Sequence, residues 1–252
     1  MKRILALLLS CCLLLACVSA MAEESASNGT QLVAEANDGL IFLSGSAYTT
    51  TEDYSSYLTA YVYAEVRNDS AAGMEIDGSL EALDADGNVL DTSYVSVMPG
   101  YVAPGEIAYV TGSFIIAKTD EIVNPEDLAT VKLTVGVDPI SFGRKCSVVK
   151  NATVEMANGT NFLGMSQEVF RVTITNDSDS DLYNPQVIAG AFDAEGKLLY
   201  YSSETFILSA GIHLPSGSTL MLDLTPPLGV AQLCAQNNVQ VAEIRCLVYT
   251  EE

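Results

Sequence analysis

Apolar and polar residues alternate with a period of two in several short, separated stretches of the chain. The clearest are residues 58–66, 131–135, 170–174 and 220–224. Alternation of this kind puts the apolar side chains on one face of a half-buried strand. No stretch has the periodicity of a long amphipathic helix. Short strands separated by turn residues at intervals of roughly 8 to 12 positions predict an all-β fold, an antiparallel β-sandwich.

Two stretches of the chain read alike. Each contains an Asn-Asp-Ser element, at 68–70 and at 176–178, followed by an Asp-Ala-Asp/Glu-Gly element, at 84–87 and at 193–196. The second copies are offset from the first by 108 and 109 positions, respectively. Because the elements match in order, in spacing and in the strands that flank them, the sequence predicts two copies of one domain. The Asp-Ala-Asp/Glu-Gly elements lie between apolar strands and predict tight hairpin turns.

The order of these strands and turns resembles the FxLYD-type immunoglobulin-like domain of bacterial surface lipoproteins. The resemblance covers most of residues 57–137 and, less closely, 170–249, where Ser216-Gly217 stands in place of Pro104-Gly105. It implies a tandem of two immunoglobulin-like sandwiches in an exported or envelope-attached protein, and it brings no catalytic residue with it.

The repeat sets the expected domain boundaries. We expect the first β-sandwich over residues 38–140 and the second over 141–252. A linker is expected near 138–144, where Asp-Pro and Phe-Gly interrupt the strand pattern. Residues 23–37 are predicted to form a flexible acidic lead-in.

The N-terminus has the pattern of a secretory signal peptide. Two basic residues precede a short apolar run at 4–15, and small residues follow, ending in Ala20-Met21-Ala22. A spanning helix needs about 20 apolar residues, more than this run provides. Residues 1–22 are therefore predicted to be a signal peptide removed before Glu23. A second pattern, Leu-Leu-Ala-Cys ending at Cys17, resembles a lipobox and leaves a diacylated Cys17 as the alternative.

The charge of the chain narrows the classes of partner. Its formal net charge is −21, from 11 basic and 32 acidic residues. Nucleic acid is excluded as a partner because phosphate binding needs clustered Lys and Arg. Attachment to anionic lipid is disfavoured on the same ground, so membrane contact is expected only through a lipid anchor at Cys17.

The sequence offers little catalytic chemistry. His213 is the only histidine, no nucleophile motif accompanies it, and no His/Cys cluster has zinc spacing. Asp84, Asp86, Asn88 and Asp91 alternate like the start of a calcium loop, but the acid at its twelfth position is missing. A hairpin turn explains these residues better. We therefore predict a protein that is not an enzyme and that has no catalytic residue, cofactor or metal site.

Three tyrosines follow one face of a predicted strand. If the apolar residues of 58–66 face the core, Tyr57, Tyr61 and Tyr63 stand on the outer face of the sheet. Aromatic rings with a polar tip are enriched at binding surfaces, so these three residues are the candidate ligand-binding site. The alternative is that they pack against a loop or against the other domain.

Three cysteines, Cys146, Cys234 and Cys246, lie beyond the leader. In an exported protein an odd number predicts one pair and one thiol, or no pair at all. Cys146 and Cys246 form the candidate disulfide because they fall on the first and last strands of the second copy. A pair between Cys234 and Cys246 remains equally open.

Together these features predict an exported, non-catalytic protein. The favoured function is that of a surface or secreted interaction module, which acts through the faces or edges of its sandwiches. Its expected partner is a protein or a cell-wall glycan. The alternative is a carbohydrate or small-ligand binding module that uses the face of Tyr57, Tyr61 and Tyr63.

Overall fold

The computed structural model describes residues 22–24, 30–51, 56–119, 124, 127–138, 140, 143, 145–160, 166–205 and 213–251. Residues 1–21 lie outside this set, so the predicted signal peptide (apart from Ala22) and the lipidation alternative at Cys17 are not described. The described chain is nearly all strand and includes one short helix, α1 (Leu228–Gln236). The prediction of an all-β fold with several antiparallel sheets is confirmed. The helix is too short and too weakly apolar to cross a membrane.

Residues 22–137, here called the N-terminal part, form two sheets. Its strands are β1 (Ala22–Glu24), β2 (Gln31–Ala36), β3 (Leu40–Thr51), β4 (Tyr57–Asn68), β5 (Met74–Leu83), β6 (Val89–Tyr94), β7 (Ser96–Met98), β8 (Tyr101–Val102), β9 (Ile107–Ala117) and β10 (Thr130–Val137). Sheet A has the order β1-β2-β10-β5-β6, with β8 paired to β5, and sheet B has the order β3-β4-β9-β7. Alternate side chains of both sheets, among them Leu58, Leu80 and Leu133, join in one buried apolar cluster.

Residues 146–251, here called the C-terminal part, form two further sheets and a short two-stranded ribbon. Its strands are β11 (Cys146–Val148), β12 (Ala152–Thr160), β13 (Ser166–Thr175), β14 (Leu182–Tyr183), β15 (Gln186–Phe192), β16 (Leu198–Thr205), β17 (His213–Leu214), β18 (Thr219–Leu224) and β19 (Glu243–Glu251). Sheet C has the order β11-β19-β15-β16, sheet D has the order β12-β13-β18, and β14 pairs with β17.

The sheets of the two parts have matching strand orders. The order β2-β10-β5-β6 within sheet A corresponds to β11-β19-β15-β16 in sheet C, and β3-β4-β9 in sheet B corresponds to β12-β13-β18 in sheet D. One pairing differs in direction, because β2 runs parallel to β10 whereas β11 runs antiparallel to β19. The other strand pairs among the described residues are antiparallel, as the predicted antiparallel sandwich requires.

The Asn-Asp-Ser elements form the same buried turn in both parts. The side-chain amide of Asn68 donates to the carbonyl oxygens of Ala72 and Val102, at 2.8 and 2.9 Å, and its oxygen accepts from the Ser70 hydroxyl. Asn176 donates to Ser180 and Leu214, at 2.9 and 2.8 Å, and accepts from Ser178. Both asparagines are buried, and each satisfies one buried backbone carbonyl, that of Val102 or that of Leu214.

The Asp-Ala-Asp/Glu-Gly elements form matching hairpin turns, as predicted. The Asp84 carboxylate accepts from the backbone N–H groups of Asp86 and Asn88, and the Asp193 carboxylate accepts from those of Glu195 and Lys197. Gly87 and Gly196 close the turns at φ of 83° and 81°, in the region where a residue with a Cβ is disfavoured. Hydrogen bonding lowers the pKa of the Asp84 carboxyl, chiefly through the side chain of Asn88.

The predicted flexible lead-in, residues 23–37, is wrong over its described part. Strand β2 pairs with β10 in sheet A, and the side chains of Leu32 and Ala34 are buried in the core. The apolar alternation of Leu32, Ala34 and Ala36 explains this order, because it gives the segment a face to bury. The first unit of the fold thus begins before residue 38.

The predicted disulfide between Cys146 and Cys246 is also wrong. Their strands are neighbours, as expected, but the register places Cys146 opposite Glu251 and Cys246 opposite Ala189. Five residues of β19 separate the two positions, about 17 Å along the strand, far beyond the reach of a disulfide. Among the described residues no disulfide joins any of Cys146, Cys234 and Cys246.

Candidate functional site

Sheet B has two chemically different faces. Its inner face carries the core residues of β4 and β9, such as Val62 and Val110. Strand alternation and register place a polar and aromatic set on its outer face. This set comprises Ser44, Ser46, Tyr48, Tyr61, Tyr63, Glu65, Tyr109 and Thr111. The predicted tyrosine stripe lies on this outer face, as the alternation indicates.

Most of the outer face is covered by strand β16 of the C-terminal part. The Tyr201 ring meets the Tyr63 ring edge-on, with centroids 5.5 Å apart, and lies 5.4 Å from the tilted Tyr109 ring. Both backbone groups of Leu198 are hydrogen-bonded to this face. The Leu198 N–H donates to the Ser44 hydroxyl, and the Leu198 carbonyl accepts from the Ser46 hydroxyl. Because β16 is an edge strand of sheet C, these bonds satisfy backbone groups that would otherwise be open.

The three candidate tyrosines do not form one platform. The side chain of Tyr63 is 7% exposed, and Tyr61 is half-buried against the same aromatic cluster. Tyr57, at the start of β4, is 51% exposed. The packing of Tyr63 against the other part of the chain is the alternative that the sequence analysis left open. A ligand site that needs all three rings is therefore incompatible with this packing.

A carboxyl group lies within this interface. Glu65 is 4% exposed and stands between Ser44 and Tyr109 in the sheet register. Burial raises the pKa of the Glu65 carboxyl, while Arg245 and Tyr109 act in the opposite direction. The Arg245 guanidinium lies 4.0 Å above the Phe192 ring and pairs with Glu243 at 2.6 Å. The C-terminal part thus brings one basic residue and one acidic residue towards Glu65.

Helix α1 also contacts the N-terminal part. The Cys234 thiol donates to the Tyr48 hydroxyl over 3.4 Å, and both residues are buried. Burial raises the pKa of the Cys234 thiol and of the Tyr48 hydroxyl. Both groups therefore stay protonated at neutral pH, and Cys234 is not a thiolate nucleophile there.

A pocket of about 620 Å³ opens beside the helix. It lies between the middle of β12, the start of β13, Tyr200 of β16, helix α1 and the segment that leads into β19. The lining residues are Val154, Met156, Glu168, Tyr200, Ala231, Cys234, Ala235, Val239, Gln240, Val241, Ala242, Glu243 and Ile244. This pocket was not predicted, because its walls come from segments that are far apart in the sequence.

The remaining residues that were considered as chemical candidates lie elsewhere. His213 on β17 packs its ring 5.5 Å from that of Tyr183, and its Nε2 lies 3.4 Å from a carboxylate oxygen of Asp181. Within the described ranges, no three His, Cys, Asp or Glu residues cluster as metal ligands would.

Comparison with known proteins identifies neither a family nor a function for this chain. The sequence matches no protein-family model and no curated protein. Solved structures that it resembles include red sea bream transglutaminase, at 10% identity and a TM-score of 0.23 over 83% of this chain. Another is the C-terminal globular domain of an oligosaccharyltransferase from Pyrococcus abyssi, at 10% identity and a TM-score of 0.17 over 77% of this chain. The chain spans 29% and 42% of these two proteins, and likenesses this weak carry no functional argument.

Proposed function

We propose that this protein is an exported, non-catalytic interaction module built from two immunoglobulin-like β-sandwich domains in tandem. The paired strand orders and the matching Asn68 and Asn176 turns support the tandem. The basic and apolar N-terminus supports export, either as a released protein or anchored at Cys17. The FxLYD-like order of turns fits the same class of bacterial envelope protein.

The observation that carries the proposal is a pair of exposed side chains at one end of the outer face of sheet B. There Tyr57 is 51% exposed and Ile115 is 67% exposed. The register places Ile115 opposite Thr59, so the Tyr57 and Tyr61 side chains lie diagonally on either side of it. An aromatic and an aliphatic side chain exposed together on a rigid sheet are typical of the centre of a protein interface.

The packing of the rest of this face holds the end that carries Tyr57 and Ile115 in a fixed position. The Tyr63, Tyr109 and Tyr201 rings and the two bonds to Leu198 join the two parts. Aromatic pairs contribute about 0.5 to 1.5 kcal/mol each beyond the area they bury. A partner that docks at Tyr57 and Ile115 would therefore meet a surface already ordered by strand pairing, which lowers the entropic cost of binding.

Site-specific photocrosslinking in the bacterium that makes the protein tests this proposal. A benzophenone amino acid is placed at Ile115 in one variant and, as a control, at the exposed Tyr183 in the other part of the chain. We expect one discrete crosslinked species from position 115 that contains peptides of a second protein and is lost with Tyr57→Ala. Equal crosslinking from both positions, or none from position 115, contradicts a protein-binding role for this face. A species containing glycan alone would assign the face to the cell wall.

A further inference from the structure

The two parts of the chain differ in the connection to their last strand. Residues 118–129, 12 positions, join β9 to β10, whereas residues 225–242, 18 positions, join β18 to β19 and include helix α1. The sandwich of the N-terminal part closes with the shorter connection. Helix α1 lies within the longer connection, and the pocket opens beside it.

The inner face of sheet D remains partly uncovered beneath the helix. Met156 pairs with Phe170, and Val154 pairs with Val172, so these side chains share the face that is turned towards the core. Phe170 and Val172 are buried, yet Met156 is 37% exposed. The helix presents only Ala231, Cys234 and Ala235 to the pocket, and these short side chains do not fill the space above Met156.

The size and polarity of the pocket fit a small amphipathic molecule. A volume of about 620 Å³ lies within the range of roughly 300 to 1,000 Å³ that is usual for ligand sites. Val154, Met156, Val239, Val241 and Ile244 supply apolar wall. An apolar body of several carbon atoms would be removed from water there, which is favourable in proportion to its area.

The charge of the pocket selects the sign of the ligand. Among the described residues, its lining includes two acidic residues, Glu168 and Glu243, and no Lys, Arg or His. Glu243 is paired with Arg245. Glu168 lies on the core-facing side of β13, two residues before the buried Phe170, and so carries its charge to the mouth of an apolar pocket. Burial is the main cause that raises the pKa of the Tyr200 hydroxyl to about 12, with smaller contributions from Cys234 and Glu168.

We propose that this pocket binds a small organic cation with an apolar body, such as an alkylammonium ion. The hydrocarbon packs against Met156, Val154 and the segment that follows α1, and the ammonium group lies beside the Glu168 carboxylate. This site is independent of the partner surface at Tyr57 and Ile115.

Three probes of equal chain length separate charge from burial: hexylammonium, 1-hexanol and hexanoate. Each is titrated into the full-length mature protein labelled with ¹⁵N, and backbone amide shifts are followed. We expect hexylammonium to shift the amides of Ala231, Ala235 and Ile244 with saturation, 1-hexanol to do so more weakly, and hexanoate to leave them in place. Absence of these shifts with hexylammonium, or binding of hexanoate or 1-hexanol as tightly as the cation, overturns the proposal.

Two variants test whether the Glu168 carboxylate binds the ammonium group. Glu168→Gln should weaken hexylammonium binding about fivefold, the upper range for a solvent-accessible ion pair, without changing the binding of 1-hexanol. Glu155→Gln is the matched control, because Glu155 lies on the opposite face of the neighbouring strand β12 and pairs in register with Arg171. Equal loss in both variants would mean that the cation responds only to the general negative charge, and this would overturn the proposal.

A larger side chain that fills the pocket should abolish the binding of hexylammonium. Ala231→Phe places a ring in the space above Met156 and should abolish the saturable shifts from hexylammonium and 1-hexanol alike. If this variant unfolds, Ala235→Leu serves in its place, because residue 235 lines the pocket from a solvent-exposed position. Unchanged hexylammonium binding in a folded variant of this kind places the ligand elsewhere and overturns the proposal.

Discussion

The buried turns of the two parts are alike, whereas the outer faces of sheets B and D are different. Tyr63 pairs with Thr111 in sheet B, and the corresponding positions in sheet D hold Arg171 and Asp223. The Tyr63 ring is covered by Tyr201, but Arg171 lies on an exposed face and binds Asp223 through two hydrogen bonds of 2.8 and 2.7 Å. One position of a repeated strand is therefore an interface residue in one part and a surface ion pair in the other.

The same contrast applies to the strands that follow the hairpin turns. Tyr201 of β16 corresponds, through the offset of the Asp-Ala-Asp/Glu-Gly elements, to Thr92 of β6, which is exposed. A repeated fold needs its turns and its core in every copy, because these satisfy buried backbone and bury apolar area. The outer faces are under no such constraint, and here Tyr201 of the C-terminal part packs on the outer face of sheet B in the N-terminal part.

The largest effect on the free energy of unfolding is expected from a substitution at Tyr201. Tyr201→Ala removes the ring that lies between Tyr63 and Tyr109 and should lower the free energy of unfolding by about 4 kcal/mol, as is usual for a buried aromatic residue. It should also separate the unfolding of the two parts into two transitions, measured by urea titration with circular dichroism. Thr92→Ala is the matched control and should change stability by less than about 0.5 kcal/mol.

A second variant refines the test at the same position. The Tyr201 hydroxyl is buried without a hydrogen bond of normal geometry to the described residues. Tyr201→Phe should therefore be neutral or stabilising, because it removes a buried polar group that has no good partner. A loss from Tyr201→Ala no greater than that from Thr92→Ala would show that β16 does not join the two parts.

The next effect concerns the turns, where the two parts should respond alike. Asn68→Ala and Asn176→Ala each remove the side-chain donor of one buried carbonyl group, that of Val102 or that of Leu214, and each should cost about 2 kcal/mol. Urea unfolding of both variants, beside the exposed control Asn158→Ala on β12, measures this. If one variant costs less than about 1 kcal/mol while the other costs the full amount, the turns are not energetically equivalent despite their matching bonds.

A pH-dependent effect should distinguish the interface from the surface. Burial raises the pKa of Glu65 in the folded state above its value in the unfolded chain. At pH values between these two pKa values, the Glu65 carboxyl is therefore protonated in the folded protein and ionised in the unfolded chain. The destabilisation from Glu65 therefore grows as the pH rises through that window and is constant above it. Asp69, Asp84 and Asp223 have lowered pKa values and act with the opposite sign, since their stabilisation is lost on acidification.

The variant Glu65→Gln isolates this contribution. Its melting temperature should exceed that of the unaltered protein at pH 7 to 8, and the difference should shrink as the pH falls towards about 4, near the pKa of an unfolded glutamate. Thermal unfolding across this pH range measures it, with Glu155→Gln as the exposed control. If the melting temperature of Glu65→Gln, relative to that of the unaltered protein, rises on acidification instead, the attraction between Glu65 and Arg245 outweighs the cost of burial.

Local patterns were sufficient to predict the strands and the turns. Period-two alternation indicated β4, β10, β13 and β18, and the structure places strands there. The Asp-Ala-Asp/Glu-Gly elements were recognised as hairpin turns because glycine and aspartate act within a few residues of each other. Strand β2 was missed because the acidic residues around it, which are typical of a mobile segment, outweighed the alternation of Leu32, Ala34 and Ala36.

Features that depend on distant pairing were not predictable from the sequence. The register that separates Cys146 from Cys246, the docking of Tyr201 on Tyr63, and the pocket beside α1 all join segments far apart along the chain. Helix α1 itself gave little signal, because its nine residues, LGVAQLCAQ, have no separate polar face. The outer-face position of the tyrosines followed from alternation, but their burial depended on a partner strand that periodicity does not reveal.

The smallest effect on the free energy of unfolding is expected at the ion pair of Arg171 and Asp223. In sheet D this pair occupies the position that Tyr63 and Thr111 occupy in sheet B. Arg171→Ala removes both hydrogen bonds to Asp223 but should lower the free energy of unfolding by only about 0.5 kcal/mol, because exposed pairs are screened by water and salt. Tyr63→Ala, at the corresponding position in sheet B, should cost about 3 kcal/mol through lost packing against Tyr201. Urea titrations of the two variants in low and in high salt measure the contrast, and only the Arg171→Ala effect should diminish with salt. If Arg171→Ala costs as much as Tyr63→Ala, the outer face of sheet D is also covered in the native protein, and a second docking surface should be sought there.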